Sequence, residues 1–164
     1  MLRRRREDRA GLVGRLYDAH GASLYRYALM LLLDHAAAED AVQQVFAAVL
    51  RGSGPLENEI HYLRRAVRNE CFSTLRRRRD SSSDLRPLLE PVAVDVPADE
   101  RIAVERALAT LPADQREVVH LHVYEGMTFK EIGDSLDESI NTVASRYRYA
   151  LAKLRGALGG ESER

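Results

Sequence analysis

Residues 128–158, TFKEIGDSLDESINTVASRYRYALAKLRGAL, start and stop a helical period twice within a short span, which leaves few folds open to them. Thr128 is a good N-cap, and Glu131 can reach back to its amide, so a helix begins at Phe129. Phe129, Ile132 and Leu136 give that helix one apolar stripe of about two turns. Asp137 and Glu138 break the period, with Asp137 suited to a left-handed turn position at some cost. Ser139 then offers a second cap to the amide of Asn141 or Thr142. In the longer helix that follows, Ile140, Val143, Tyr147, Leu151, Leu154 and Leu158 repeat at three or four residues. Asn141, Thr142, Ser145, Arg146 and Arg148 project from its other faces. A short helix, a tight turn and a longer helix with a basic face is the layout of a helix-turn-helix DNA reader. An amphipathic helical hairpin with a merely solvated basic face shares the same periodicity.

Charge separates the two readings locally. The 164 residues carry 25 basic and 25 acidic side chains, but the balance averages unlike parts. Residues 1–80 hold 15 bases and 10 acids, 81–100 hold 1 and 5, and 101–164 hold 9 and 10. Within the last part, residues 125–138 carry one base and five acids, and 139–158 carry four bases and no acid. A helix that approaches phosphates is basic, and its support need not be. Upstream, Leu111-Pro112 followed by Asp114, Gln115, Arg116 and Glu117 starts another helix, with Pro at its first turn and acids near its positive end. Val118, Val119, Leu121, His122 and Val123 continue it to Gly126, a suitable C-terminal stop.

The first half reads as helices too. Around Ala38–Val49 an amphipathic helix turns Ala41, Val42, Val45, Phe46 and Val49 inward and leaves Glu39, Asp40, Gln43 and Gln44 outside. Arg51-Gly-Ser-Gly-Pro-Leu-Glu57 is a loop by its Gly and Pro content. The next helix, Tyr62–Arg79, is the strongest basic run of the chain. Leu63, Val67, Cys71 or Phe72, and Leu75 hold its core side, leaving Arg64, Arg65, Arg68, Asn69, Arg76 and Arg77 for a polyanion. Asp80–Asp99 is rich in Ser, Pro and Asp, lacks a sustained period and reads as a flexible linker. Extended, its twenty residues span up to about 66–72 Å. From Glu100 the helical pattern resumes with Ile102, Val104, Ala107, Leu108 and Leu111. The expected fold is therefore all-α, with two small helical domains: residues 1–79, a linker over 80–99, and residues 100–164.

Composition narrows the function classes. No apolar run is long enough to cross a membrane, and the Arg-rich start, Met1–Arg9, has no apolar stretch behind it and reads as a flexible arm. A single cysteine, Cys71, excludes an internal disulfide, suits the cytoplasm and reads as a small buried hydrophobe. His20, His35, His61, His120 and His122 are scattered, and His120 and His122 point away from each other on a helix. No metal constellation, Gly-rich phosphate loop or nucleophile motif stands out, so neither a cofactor nor an enzyme or small-molecule substrate is expected.

The segment LPADQREVVHLHVYEGMTFKEIGDSLDESINTVASRYRYALAKLRGAL resembles region 4 of the sigma-70 family, in particular the extracytoplasmic-function sigma factors. Several submotifs occur in order: Leu-Pro, Gln-Arg-Glu, Glu-Gly-Met-Thr, Glu-Ile-Gly and Thr-Val-x-Ser-Arg. Leu16-Tyr-Asp-Ala-His20, Leu24-Tyr-Arg-Tyr-Ala28 and Ala38-Glu-Asp-Ala-Val-Gln-Gln-Val-Phe46 are similar to region 2, a bundle of three to four helices. The resemblance implies a transcription initiation factor that binds core RNA polymerase and promoter DNA. It gives polymerase docking to Glu39, Asp40, Gln43, Gln44 and Phe46. Minus-10 recognition and melting falls to Ser53, Asn58, Arg64, Arg65, Arg68, Asn69, Arg76 and Arg77, with a flipped base accepted by the loop at 51–57. Minus-35 recognition falls to Asn141, Thr142, Ser145, Arg146, Arg148, Tyr149 and Lys153, while region 4 also contacts the flap of the second-largest polymerase subunit. It further implies a partner anti-sigma factor. The pattern departs from the family at Tyr62 (often Trp), Ser73 (usually an acid), Ala144 (usually Lys or Arg) and Tyr149 (commonly Arg). Ala144 and Tyr149, with Asp137 at a turn position that is often Gly, leave open a sigma mimic that titrates an anti-sigma factor, against which the four arginines Arg76–Arg79 argue. A polymerase-independent helix-turn-helix regulator also stays open.

Overall fold

The computed structural model describes residues 2–81 and 97–159, without the side chains of residues 2–7 and 98. All regular structure among them is helical. The chain divides into two units, residues 1–87 and 88–164.

The first unit packs three helices, α1 (Leu2–Leu32), α2 (His35–Arg51) and α3 (Glu59–Asp80). Leu24, Tyr27, Ala28 and Leu31 of α1, spaced three and four apart, are buried with Ala38, Ala41, Val42, Val45 and Val49 of α2 and Leu63, Val67 and Cys71 of α3. The inner face expected for α2 is the one observed. The N-terminal segment expected to be a flexible arm is instead part of α1, which starts at Leu2. Arg9, within it, donates to the carbonyls of Val49 and Gly54.

The corner between α1 and α2 is tight. Leu33 adopts φ 52°, a left-handed conformation unfavourable for a branched residue, and keeps it because its side chain is buried and its amide bonds to Leu29 O at 2.8 Å. Asp34 then caps α2, accepting from the Ala37 amide at 2.9 Å. Its other carboxylate oxygen accepts from Arg78 at 2.7 Å, and Arg78 also reaches Leu32 O. Arg78 therefore serves the fold, so it adds less to the argument against a mimic than the count of Arg76–Arg79 implies.

The second unit contains α4 (Ala98–Ala109), α5 (Ala113–Val119), a π-helical turn (His120–Tyr124), α6 (Phe129–Leu136) and α7 (Ile140–Gly159). Of the expected linker, Asp80 ends α3 and Asp99 lies inside α4, while residues 82–96 lie outside the described residues. Pro112 precedes α5, and Arg116 and Glu117 are buried rather than displayed. Arg116 turns back to donate to Leu111 O at the α4–α5 corner. Burial pushes its guanidinium down to about 10, against the pull of Asp114, so it stays charged at neutral pH. After Val119 the helix widens, and the Glu125 amide bonds to His120 O five residues back. The buried His120 ring stacks on the exposed ring of Tyr124, with centroids 5.1 Å apart. His122 packs against Phe129 and Tyr147, at 4.7 and 4.8 Å. Those three rings join the π-helical turn, α6 and α7.

The caps of α6 and α7 form as their sequence suggests. Thr128 and Glu131 make the reciprocal capping box, and Ser139 Oγ accepts from the Thr142 amide at 3.1 Å. Asp137 sits at φ 57°. Less visible in the sequence is Gly133: a Cβ there would lie 2.7 Å from Glu138 O, so only glycine lets the turn fold back onto α6. The apolar stripe of α7 also differs from expectation. Val143 and Ala150 are buried, but Ile140, the first residue of the helix, is 50 % exposed.

The Asp34 corner generates a test. The Ala37 amide first, then Arg78, hold the Asp34 carboxyl below the usual carboxylate range, against partial burial. A depressed carboxylate contributes stability that is full above its unfolded pKa and is lost as pH falls through the folded value. Asp34→Ala is expected to cost about 1–2 kcal/mol, the cap plus the ion pair. Asp34→Asn, which keeps the cap acceptor, should cost less and flatten the acid limb of stability below about pH 4. Urea unfolding of the full chain between pH 2 and 7, with α2 amide exchange as the local probe, measures both.

Candidate polymerase and nucleic-acid interface

The outer face of α2 presents Glu39, Asp40, Gln43 and Gln44 to solvent, with Gln43 donating to Glu39 at 3.2 Å. Phe46 does not join them. It is 5 % exposed and meets the Tyr17 ring edge-on at 5.2 Å, because it falls on the buried stripe of α2. Its place in the docking set is therefore corrected to support of Tyr17, itself exposed. Tyr17 borders a groove of about 550 Å³ between α1 and α2, also lined by Asp18, Tyr25, Glu39 and Gln43. The sequence concealed this groove because its lining alternates between two distant segments.

On α3 the buried side chains Leu63, Val67 and Cys71 define one face. Tyr62, Arg65, Asn69 and Arg76 are exposed on another, spaced by three, four and seven residues, so they form a single stripe. Tyr62 thus belongs with the predicted residues and was detectable by spacing alone. Arg68 sits over the Phe72 ring, 4.6 Å from its centroid, and Arg64 is half-buried beside the stripe. Arg77 is exposed but engages Thr74 at 2.9 Å and Glu70 at 3.3 Å. Ser53 is exposed in the preceding loop, and Asn58 enters α3 at φ 52° with no side-chain cap bond.

In the second unit, α6, the turn and α7 adopt a helix-turn-helix. Asn141, Arg148, Tyr149 and Lys153 are exposed on α7, and Thr142 and Ser145 partly so. The Thr142 hydroxyl is 2.9 Å from Ser139 Oγ, so it shares in the cap. Tyr149 is 57 % exposed, and the Arg148 guanidinium lies 5.4 Å from its ring centre. Arg146 departs from the expectation of a projecting side chain. It is 22 % exposed, pairing with Asp114 at 3.2 Å and with Glu138 at 2.9 Å. It ties α7 to α5 and to the turn, which neither periodicity nor charge counting could reveal because both acids lie outside its helix.

No helix among the described residues is long and apolar enough to cross a membrane. The Sigma-70 region 2 family model matches residues 16–81, and the Sigma-70, region 4 model matches residues 107–156. The chain is 32 % identical over 156 residues to the ECF RNA polymerase sigma factor SigL of Mycobacterium tuberculosis (strain ATCC 25618 / H37Rv), covering 89 % of this chain and 88 % of that one. It is 30 % identical to the ECF RNA polymerase sigma factor SigK of Mycolicibacterium vanbaalenii, covering 97 % and 88 %. The sigma factor RpoE of Bartonella quintana, solved with the anti-sigma factor NepR, shares the fold at a TM-score of 0.67 and 24 % identity, over 92 % of this chain and 98 % of that one. Two helical units with these faces, in this order, define a promoter-recognition factor. The chain belongs to the ECF sigma factors of the sigma-70 family, which direct core RNA polymerase to promoters.

The split among the cations of α7 is testable. Arg146→Ala is expected to destabilise the second unit by about 1–2 kcal/mol, since two acids lose their partner. Arg148→Ala and Lys153→Ala should each change stability by less than about 0.5 kcal/mol yet lower the salt slope of promoter binding by about one unit. Urea unfolding and binding of the polymerase holoenzyme across a salt series distinguish the two classes.

Proposed function

We propose that the first unit docks on core RNA polymerase through Glu39, Asp40, Gln43 and Gln44 and opens the minus-10 element with α3 and the loop before it. The second unit then reads the minus-35 duplex with Asn141, Ser145, Arg148, Tyr149 and Lys153 and touches the polymerase flap. The observation that carries this reading is the exposed stripe Tyr62, Arg65, Asn69 and Arg76, opposite a fully buried face. An aromatic ring, two guanidiniums and an amide at helical spacing are the groups that hold a strand edge: cations meet phosphates, and the ring and amide meet bases. Unstacking a base costs a few kcal/mol, and the contacts of both units with DNA and polymerase offset it. No bond is made or broken by this chain, so polymerase supplies the chemistry, in the cytoplasm. An anti-sigma factor, as found with the RpoE relative, is the expected inhibitor, covering the α2 face and its groove.

Run-off transcription from a promoter pool with purified core polymerase tests the assignment. Transcripts from a discrete promoter set are expected. Arg65→Ala, Asn69→Ala and Arg76→Ala should each lower open-complex formation about tenfold, the loss of one direct nucleic-acid contact, without weakening core binding. The absence of any promoter-specific transcript would overturn it in favour of a mimic, for which Ala144 and Tyr149 speak. A stable footprint by the chain alone would favour a polymerase-independent regulator.

A further inference from the structure

The α2–α3 loop is short and contributes no aromatic side chain, yet its backbone has a defined path. Arg9, from the first turns of α1, lies across it. Its Nε donates to Val49 O at 2.8 Å and its Nη1 to Gly54 O at 2.6 Å. Val49 belongs to the last turn of α2, where the dipole favours a cation, and its carbonyl also accepts from the Gly52 amide at 3.2 Å. Gly54 lies within the loop, at φ 114°, a conformation that other residues rarely adopt. Gly52, between the two anchors, lets the guanidinium approach: a Cβ there would stand 3.3 Å from Arg9 Nη2. Among the described residues, the hydrogen bond that reaches residues 53–57 from another element is this one from Arg9. Asp8, Arg9 and Leu12 together with Gly52, Ser53 and Gly54 line a cleft of about 540 Å³.

We propose that Arg9 is a positioning residue for promoter recognition: by bridging the end of α2 to Gly54 it fixes the 52–58 loop in the conformation that discriminates bases of the opened minus-10 strand. This rests on the proposed role of the loop in accepting a flipped base. The physical need is plain. A loop that reads a base through backbone groups and a Ser hydroxyl has no side-chain bulk to define a pocket, so its selectivity depends on backbone placement. A planar guanidinium holding two carbonyls in fixed directions supplies that placement, and a lysine ammonium, a point charge without the fork, does not. The N-terminal turns of α1 therefore act on a loop more than forty residues away in sequence.

Two variants separate placement from charge. Arg9→Ala removes the clamp and one cation. Gly52→Ala keeps the cation and presses on it: φ −71° at this position suits alanine, and a Cβ 3.3 Å from Arg9 Nη2 makes the guanidinium give by a few tenths of an ångström. Arg9→Ala is expected to lower the amide order parameters of Ser53 and Gly54 from about 0.8 to below about 0.6 in ¹⁵N relaxation of the full chain, and Gly52→Ala to lower them by a smaller amount. Arg9→Ala should also reduce about tenfold the holoenzyme's preference for its best minus-10 base over the three alternatives, and Gly52→Ala should reduce it less, read by transcription from promoters substituted at each position. Arg9→Lys should restore less than half of either effect. Core-polymerase affinity should stay unchanged, and Gly52→Ala should keep the wild-type salt slope. Unchanged order parameters in both variants would overturn the clamp. Lowered order parameters with intact base preference would leave the clamp standing and overturn the base-reading role of the loop instead.

Discussion

Helices in this chain end against arginines. A helix leaves its last carbonyls short of helical partners and its C-terminal end partially negative, and three guanidiniums bond to carbonyls at or just past such ends. Arg78 of α3 reaches Leu32 O at the end of α1, Arg9 of α1 reaches Val49 O at the end of α2, and Arg116 of α5 reaches Leu111 O beyond the end of α4. Each bond joins a helix terminus to another element, so each fixes a corner as well as satisfying a carbonyl. The first unit is closed by two of them working in opposite directions. The N-terminal part of α1 holds the exit of α2, and the C-terminal part of α3 holds the exit of α1.

This use of arginine divides the positive charge of the chain into two populations that composition cannot separate. Arg9, Arg78, Arg116 and Arg146 are committed to carbonyls and carboxylates within the protein. Arg65, Arg76 and Arg148 stand exposed on helix faces. A desolvated guanidinium that loses its partner costs more than an exposed one gains by finding one, so the committed arginines are a poor reserve for phosphates. The basic run of α3 is thus less uniform than it reads: Arg78 turns back to Asp34 and Arg77 leans on Thr74 and Glu70, while Arg76 lies on the open stripe.

The second unit shows the same economy in the angle of its recognition helix. That angle depends on Gly133 allowing the turn to touch α6, on Asp137 taking a left-handed conformation, on the ring cluster of His122, Phe129 and Tyr147, and on Arg146 gripping Asp114 and Glu138. The π-helical turn places His122 into that cluster. A residue that resembles a DNA contact by its position in the motif can therefore be the one that aims its neighbours.

Local chemistry was readable in order along the chain. Thr128 with Glu131, Ser139 before α7 and Pro112 before α5 act on groups within a few residues, and the inner face of α2 follows from a period of 3.6, so a sequence window contains all that those features need. Family membership was legible for the same reason, since its submotifs are short and ordered. Window-based reading failed where partners are distant. It left Met1–Arg9 as an arm although Arg9 bonds forty residues away, and it displayed Arg146, which pairs with acids outside its own helix; the docking role that the resemblance gave Phe46 ran against the period, which had already turned that ring inward beneath Tyr17. Sequence determined where most helices begin, which faces are apolar and what class of molecule this is, because caps and periodicity are short-range. Tertiary structure decided which charges stay exposed and how the 52–58 loop and α7 are held, because those depend on hydrogen bonds between elements that only folding brings together.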